Sequence, residues 1–258
     1  MENNFLIFIF VFAFGTIIGS FLNVLIYRLP RDMSIVFPSS HCPKCGHKLR
    51  WYENIPVFSY IFLKGKCNKC KTSISLKYPI VEILTGLSAS LSYLKWGISI
   101  DFAFNFVFLA LVIAISFIDL DFKIIPDELN LIGFLSGLIY SAIRADFSII
   151  DALLGSFVGA GFLFATAYLY LKFRGIEGLG MGDVKLLAFF GSYLGWFGSL
   201  FVIFVGSILG VIVGLTLAYI YKSEDKAKFE IPFGPYLSIA GVLYLFFGEI
   251  IKNWYLGV

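Results

Sequence analysis

Residues 5–27, FLIFIFVFAFGTIIGSFLNVLIY, run for twenty-three positions without a charge. A helix rises 1.5 Å per residue and a bilayer core is about 30 Å thick, so about 20 apolar residues are enough to cross it. The stretch lacks a basic start and a small-residue cleavage site, and its first positive charges, Arg28 and Arg31, come after it. These features read as a retained helix with its amino end outside rather than a removed signal segment. Further apolar stretches lie at about 79–97, 100–118, 128–144, 149–172, 184–198, 199–221 and 232–254. Gly195, Trp196, Phe197 and Gly198 supply the turn signal between the sixth and seventh of them.

Composition agrees with that reading. Of 258 residues, 59% are hydrophobic and only 14% charged, with a mean hydropathy of +0.88. A soluble domain needs about a quarter of its residues charged to dress its surface. Disorder, collagen-like repeats and a secreted disulfide scaffold are excluded by the same numbers. The expected fold is an all-α polytopic membrane protein with about eight transmembrane helices and a small cytoplasmic zinc-binding loop domain. Its parts are a first transmembrane helix at 1–27, a loop domain at 28–78 and a transmembrane domain at 79–258.

The net charge of +3 is unevenly spread. Ten Lys and Arg fall between 28 and 78. With an outward amino terminus, Lys123, Lys172, Arg174, Lys185, Lys222, Lys226 and Lys228 also lie inside, which leaves only Lys95, Arg144 and Lys252 outside. Positive charge concentrated in cytoplasmic segments is what sets orientation in a membrane. The charges suit anionic lipid headgroups, and no nucleic-acid partner is expected.

All four cysteines lie in that loop, as Cys42-Pro-Lys-Cys45-Gly46 and Cys67-Asn-Lys-Cys70. Two Cys-x-x-Cys pairs about twenty residues apart form a tetrahedral thiolate zinc site, each knuckle giving two ligands. Gly46 fits the tight turn after the first knuckle. Disulfides do not persist in a reducing cytoplasm, and four thiolates leave no open position for substrate. The metal is therefore expected to be structural, with His41 and His47 exposed beside the knuckle rather than ligating.

Chemistry is sought among the acids, because a carboxylate inside a membrane is costly. Asp127 follows Pro126 and opens a span, as a helix N-cap does. Glu82, one turn into the second span, is read as a helix or loop contact. Asp119 ends an unbroken apolar run. Topology brings it and Asp183 to the cytoplasmic ends of two helices running in opposite directions, at the same depth. Two carboxylates a few ångströms apart cannot both ionise, so the pair shares one proton, as aspartic proteolysis requires. Gly180 and Gly182 beside Asp183 allow close approach of an extended substrate, or simply a flexible re-entry into the membrane. Lys185 either tunes Asp183, binds a headgroup, or follows the charge bias. Intramembrane acids also relay protons in ion-coupled transporters, which is the alternative reading.

These motifs, taken with Gly19-Ser-Phe-Leu-Asn23, Tyr27-Arg-Leu-Pro30, Glu53-Asn54-Ile-Pro56, Gly65-Lys-Cys67, Tyr78-Pro-Ile-Val-Glu82, Gly180-Met-Gly-Asp183-Val-Lys185 and Pro232-Phe-Gly-Pro235, resemble the type IV prepilin leader peptidase family over nearly the whole chain. The resemblance implies an inner-membrane aspartic peptidase that cuts the leader from type IV prepilins and type II secretion pseudopilins after a glycine. It implies Asp119 and Asp183 as the catalytic pair, supported by Gly180, Gly182 and Lys185. It also implies N-methylation of the new amino terminus by S-adenosylmethionine, for which Glu53, Asn54 and Gly65 are the candidate residues. Peptidase activity without methylation is the second alternative. Oligomeric state is not legible.

Overall fold

A computed structural model of the chain describes residues 2–175, 180–221 and 231–257. Lys222, Lys226 and Lys228, and the middle of the loop between Gly175 and Gly182, lie outside the described residues. Among the described residues eight α-helices follow in order: α1 (Glu2–Arg28), α2 (Phe58–Phe62), α3 (Lys77–Trp96), α4 (Ile100–Phe122), α5 (Asp127–Ile143), α6 (Ile149–Arg174), α7 (Met181–Tyr221) and α8 (Gly234–Leu256). Short 3-10 turns occupy Leu29–Arg31 and Trp51–Asn54. No named strand occurs among the described residues.

Among the described residues five helices are long and apolar enough to cross a membrane: α1, α4, α6, α7 and α8. They hold six of the eight expected spans. The longest, α7, covers two of the expected spans and breaks at Gly195, whose φ of 72° and ψ of −177° are non-helical. The turn signal at 195–198 is thus where the chain bends. The other two expected spans are α3 and α5. At 17 residues α5 is only about 26 Å long, and α3 carries Glu82, Thr85, Ser88, Ser90 and Ser92 along its length.

The chain forms two compact units, Met1–Ala114 and Ile115–Val258, with the division falling inside α4. In the first, α1 packs on α3 through small residues. A Cβ on Gly15 would sit 2.7 Å from the Ala89 Cβ, and one on Gly19 2.7 Å from the Glu82 Cα. Lipid tails are as apolar as side chains, so close backbone approach rather than hydrophobic burial drives such pairs. Arg28, buried at the end of α1, donates to the carbonyls of Ser34 and Pro38 at 2.8 and 2.6 Å. It therefore shapes the start of the loop as well as contributing charge.

In the second unit α7 is the central helix, packed on α5, α6 and α8. Phe189, Phe190, Leu186 and Leu187 are fully buried on its first half. Gly191 meets Gly155 of α6 backbone to backbone, with no room for a Cβ on either residue. Ser199 donates to the Gly155 carbonyl at 3.0 Å, and Ser156 to that of Ala188 at 2.8 Å. Such interhelical hydrogen bonds satisfy hydroxyls that hydrocarbon would leave unpaired.

Candidate active site and metal centre

Two sites emerge, one in each unit. In the second unit, α4 ends where Lys123 turns left-handed, at φ 56°, and donates its N–H to the Asp119 carbonyl at 2.8 Å. That termination holds Asp119 in the last turn, with the residue only 4% exposed. Asp183 is the third residue of α7 and is also buried. The chain thus brings the two acids singled out from the sequence to helix ends that meet around Ile125 and Gly234.

Three glycines and Ile125 stand beside the pair. The Gly234 N–H, opening α8, donates to Asp119 Oδ2 at 2.9 Å. A Cβ on Gly234 would lie 2.7 Å from that oxygen, so any larger residue would displace the carboxylate. The Ile125 side chain lies beside both Gly182 and Gly234, 3.0 and 3.2 Å from where their Cβ atoms would be. Gly180 stands next to Asp183 Oδ2. Asp183 Oδ1 is buried and has no hydrogen-bond partner among the described residues. A buried polar atom of that kind calls for an explanation, and a reacting water or a substrate carbonyl is one. Sequence reasoning missed Gly234, although Pro232-Phe-Gly-Pro235 stands out as a motif.

Lys185 does not contact Asp183. Its ammonium pairs with Asp127 at 2.6 Å, joining α7 to the start of α5. Both side chains are well exposed, so the pair contributes under about 1 kcal/mol. Asp127 accordingly is not an N-cap: Pro126 occupies that position and makes no side-chain cap.

In the first unit the four cysteine sulfurs lie within 4.8 Å of one another, with no disulfide between them. Cys42 to Cys70 is 3.8 Å and Cys45 to Cys67 is 4.0 Å. Four thiolates arranged tetrahedrally at about 2.3 Å from a central ion are separated by about 3.8 Å, so the cluster fits a metal ion. The knuckles repeat one design. Cys42 donates its N–H to His47 O and Gly46 to Cys42 O; Cys67 donates to Thr72 O and Lys71 to Cys67 O. Lys71, at φ 59°, takes the left-handed place that Gly46 fills at φ 68°.

Glu53 ties the knuckles together. Its carboxylate accepts the Arg50 N–H at 2.7 Å, the Asn68 side-chain amide at 2.7 Å and His47 Nε2 at 3.1 Å. The Arg50 N–H first, then Asn68 and His47, hold its carboxyl below the usual carboxylate range despite burial. His47 is thereby engaged rather than exposed, while His41 Nδ1 donates to the Ser39 carbonyl at 2.9 Å. Gly65 has φ 64°, and a Cβ there would meet the Tyr60 hydroxyl at 2.8 Å. A cavity of about 290 Å³ opens beside the cluster, lined by Glu53, Asn54, Tyr60, Asn23 and Glu82 among others. That volume is at the lower end for ligand sites.

The fold and these two sites define a multi-pass membrane protein with a cysteine metal cluster and a buried carboxylate pair. Comparison with known proteins places it further. Residues 13–96 match the bacterial peptidase A24 N-terminal domain and residues 106–215 match the type IV leader peptidase family. The chain is 35% identical to a prepilin leader peptidase/N-methyltransferase of Aeromonas salmonicida, over 97% of this chain and 94% of the relative. It is 37% identical to one from Stutzerimonas stutzeri and 36% to one from Pseudomonas aeruginosa, each over 94% of this chain and 91% of the relative. No solved structure matches. The chain belongs to the type IV leader peptidase family and is an enzyme; the transporter alternative is not favoured.

Proposed function

We propose that this enzyme cleaves the leader peptide of type IV prepilins and type II secretion pseudopilins after a glycine, at the cytoplasmic face of the inner membrane, and then methylates the new amino terminus. The observation that carries the peptidase reading is the buried pair Asp119 and Asp183, walled by Gly180, Gly182 and Gly234. One carboxylate takes a proton from water as the water attacks the scissile carbonyl carbon, and the other, protonated, donates to the carbonyl oxygen. The C–N bond then breaks and the leaving amine takes up a proton. The Gly234 N–H orients Asp119, and the missing side chains leave room for an extended substrate backbone. Lys185 supports the site only through its tie to Asp127.

Zinc is the ion we assign to Cys42, Cys45, Cys67 and Cys70, in a closed structural role. S-adenosylmethionine is the assigned methyl donor, and it supplies a methyl group on a positively charged sulfur. The first unit's cavity is where we place it, since it opens beside the metal cluster with Asn23, Asn54 and Tyr60 in its wall. Glu53 and Gly65 act there by holding the wall together. The amino terminus is assigned to the outside and residues 28–78 to the cytoplasm, with anionic lipid around the basic loop.

Inverted inner-membrane vesicles carrying the enzyme test both the site and its sidedness. Prepilin added to them should be cut, and the product's sequence should start at the residue after the glycine. Cleavage only in right-side-out vesicles, or at another bond, would sink the proposal.

A further inference from the structure

Glu82 is a buried acid that neither the metal cluster nor the carboxylate pair uses. It lies on α3, 8% exposed, and forms part of the wall of the first unit's cavity. Its Oε2 accepts the backbone N–H of Val57 at 2.7 Å, across 25 residues of sequence, and the Ser20 side chain makes a second hydrogen bond to it.

What Glu82 holds is an unusual piece of backbone. Val57 has φ 62° and ψ −52°, and Phe58 donates its N–H to the Pro56 carbonyl at 2.6 Å. This is the γ-turn of positive φ, which is rare and strained. A β-branched residue there is a true outlier, because its Cβ crowds the backbone. Strained backbone persists only where the surroundings over-determine it, and it clusters at functional sites. The turn stands between Asn54 and the short helix α2, whose Ser59 and Tyr60 also face the cavity.

We propose that Glu82 is a positioning residue for methyl transfer: by clasping the Val57 N–H it fixes the strained turn that sets Asn54 and Tyr60 in the cavity wall. The proposal rests on the reading that this cavity takes the methyl donor. The clasp needs an acceptor oxygen rather than a charge, so Gln serves in place of Glu and Ala does not. It is also needed only while residue 57 carries a Cβ, since glycine adopts positive φ without strain.

Full-length enzyme in detergent, with S-adenosylmethionine and an already cleaved pilin, gives the test. Glu82→Ala should raise the KM for S-adenosylmethionine about tenfold, while cleavage of intact prepilin stays within about twofold. Glu82→Gln should stay within about threefold of the parent, and Val57→Gly added to Glu82→Ala should bring KM back to within about threefold. An unchanged KM in Glu82→Ala, an equal loss of cleavage, or a Glu82→Gln as impaired as Glu82→Ala would each overturn the proposal. Should Glu82→Ala fail to fold, its recovery by the added Val57→Gly supports the clasp and continued failure counts against it. Amide exchange separates the clasp from the methylation reading. The Val57 amide should be protected in the parent and in Glu82→Gln but exchange at least about tenfold faster in Glu82→Ala. Equal protection refutes the clasp whatever the methylation assay reads. A parent enzyme that transfers no methyl group refutes the methylation reading and the purpose given to the clasp.

Discussion

Asp119→Asn and Asp183→Asn should each lower prepilin cleavage by about three orders of magnitude or more while leaving expression and metal content intact. General acid–base groups contribute roughly 10²–10⁴-fold each, and a pair that works as a unit loses the whole of its contribution with either member. The substitution is nearly isosteric. In Asp119→Asn the side-chain amide oxygen still accepts the Gly234 N–H, whose bond to Asp119 is 2.9 Å. Position 183 has one carboxylate oxygen without a protein partner, so an amide there breaks no described hydrogen bond at that atom. Loss of activity would then report chemistry rather than folding. Single-turnover cleavage of purified prepilin checks it, and full activity in either variant would remove the pair from the mechanism.

The second large effect concerns the loop. Cys42→Ser should abolish stoichiometric metal binding and make residues 28–76 sensitive to limited proteolysis. The binding free energy of a structural zinc site is folding free energy, of order 10 kcal/mol in small zinc domains, which exceeds the marginal stability of most domains. Around the knuckles, two isolated bridges, His41 with Lys48 and Lys66 with Ser73, and the Glu53 hydrogen bonds supply order besides the cysteines. Those bonds span the two knuckles, so they depend on the metal holding the knuckles together. Metal content by elemental analysis, together with the protease digestion pattern, measures the effect. Full metal content and an unchanged digest would contradict the closed four-thiolate site.

Much of this architecture was legible because membrane sequences must satisfy the backbone within each span. Apolar runs therefore marked α1, α4, α6, α7 and α8, and glycine marked the break in α7. Asp119 and Asp183 were legible as acids that the membrane penalises unless they have work to do. The cysteine spacing likewise announced its cluster. What was hidden depends on contacts between distant residues. Lys185 meets Asp127 across 58 positions and Glu82 meets Val57 across 25, and neither pairing leaves a local pattern. The left-handed Lys71 was invisible because nothing in its side chain favours φ of 59°; only its equivalence to Gly46 in the other knuckle explains it. The three hydrogen-bond donors on the Glu53 carboxylate, which join the knuckles, likewise come from contacts that the sequence does not announce. α3 and α5 form as helices where the sequence marks them, α5 with 17 residues and α3 with polar side chains along its length.

The most direct test of the central claim is the intact mass of a purified type IV prepilin after incubation with this enzyme and S-adenosylmethionine in detergent. The account predicts a product lighter by the leader peptide and heavier by one methyl group. An unchanged mass, with a control enzyme active on the same substrate, would contradict it.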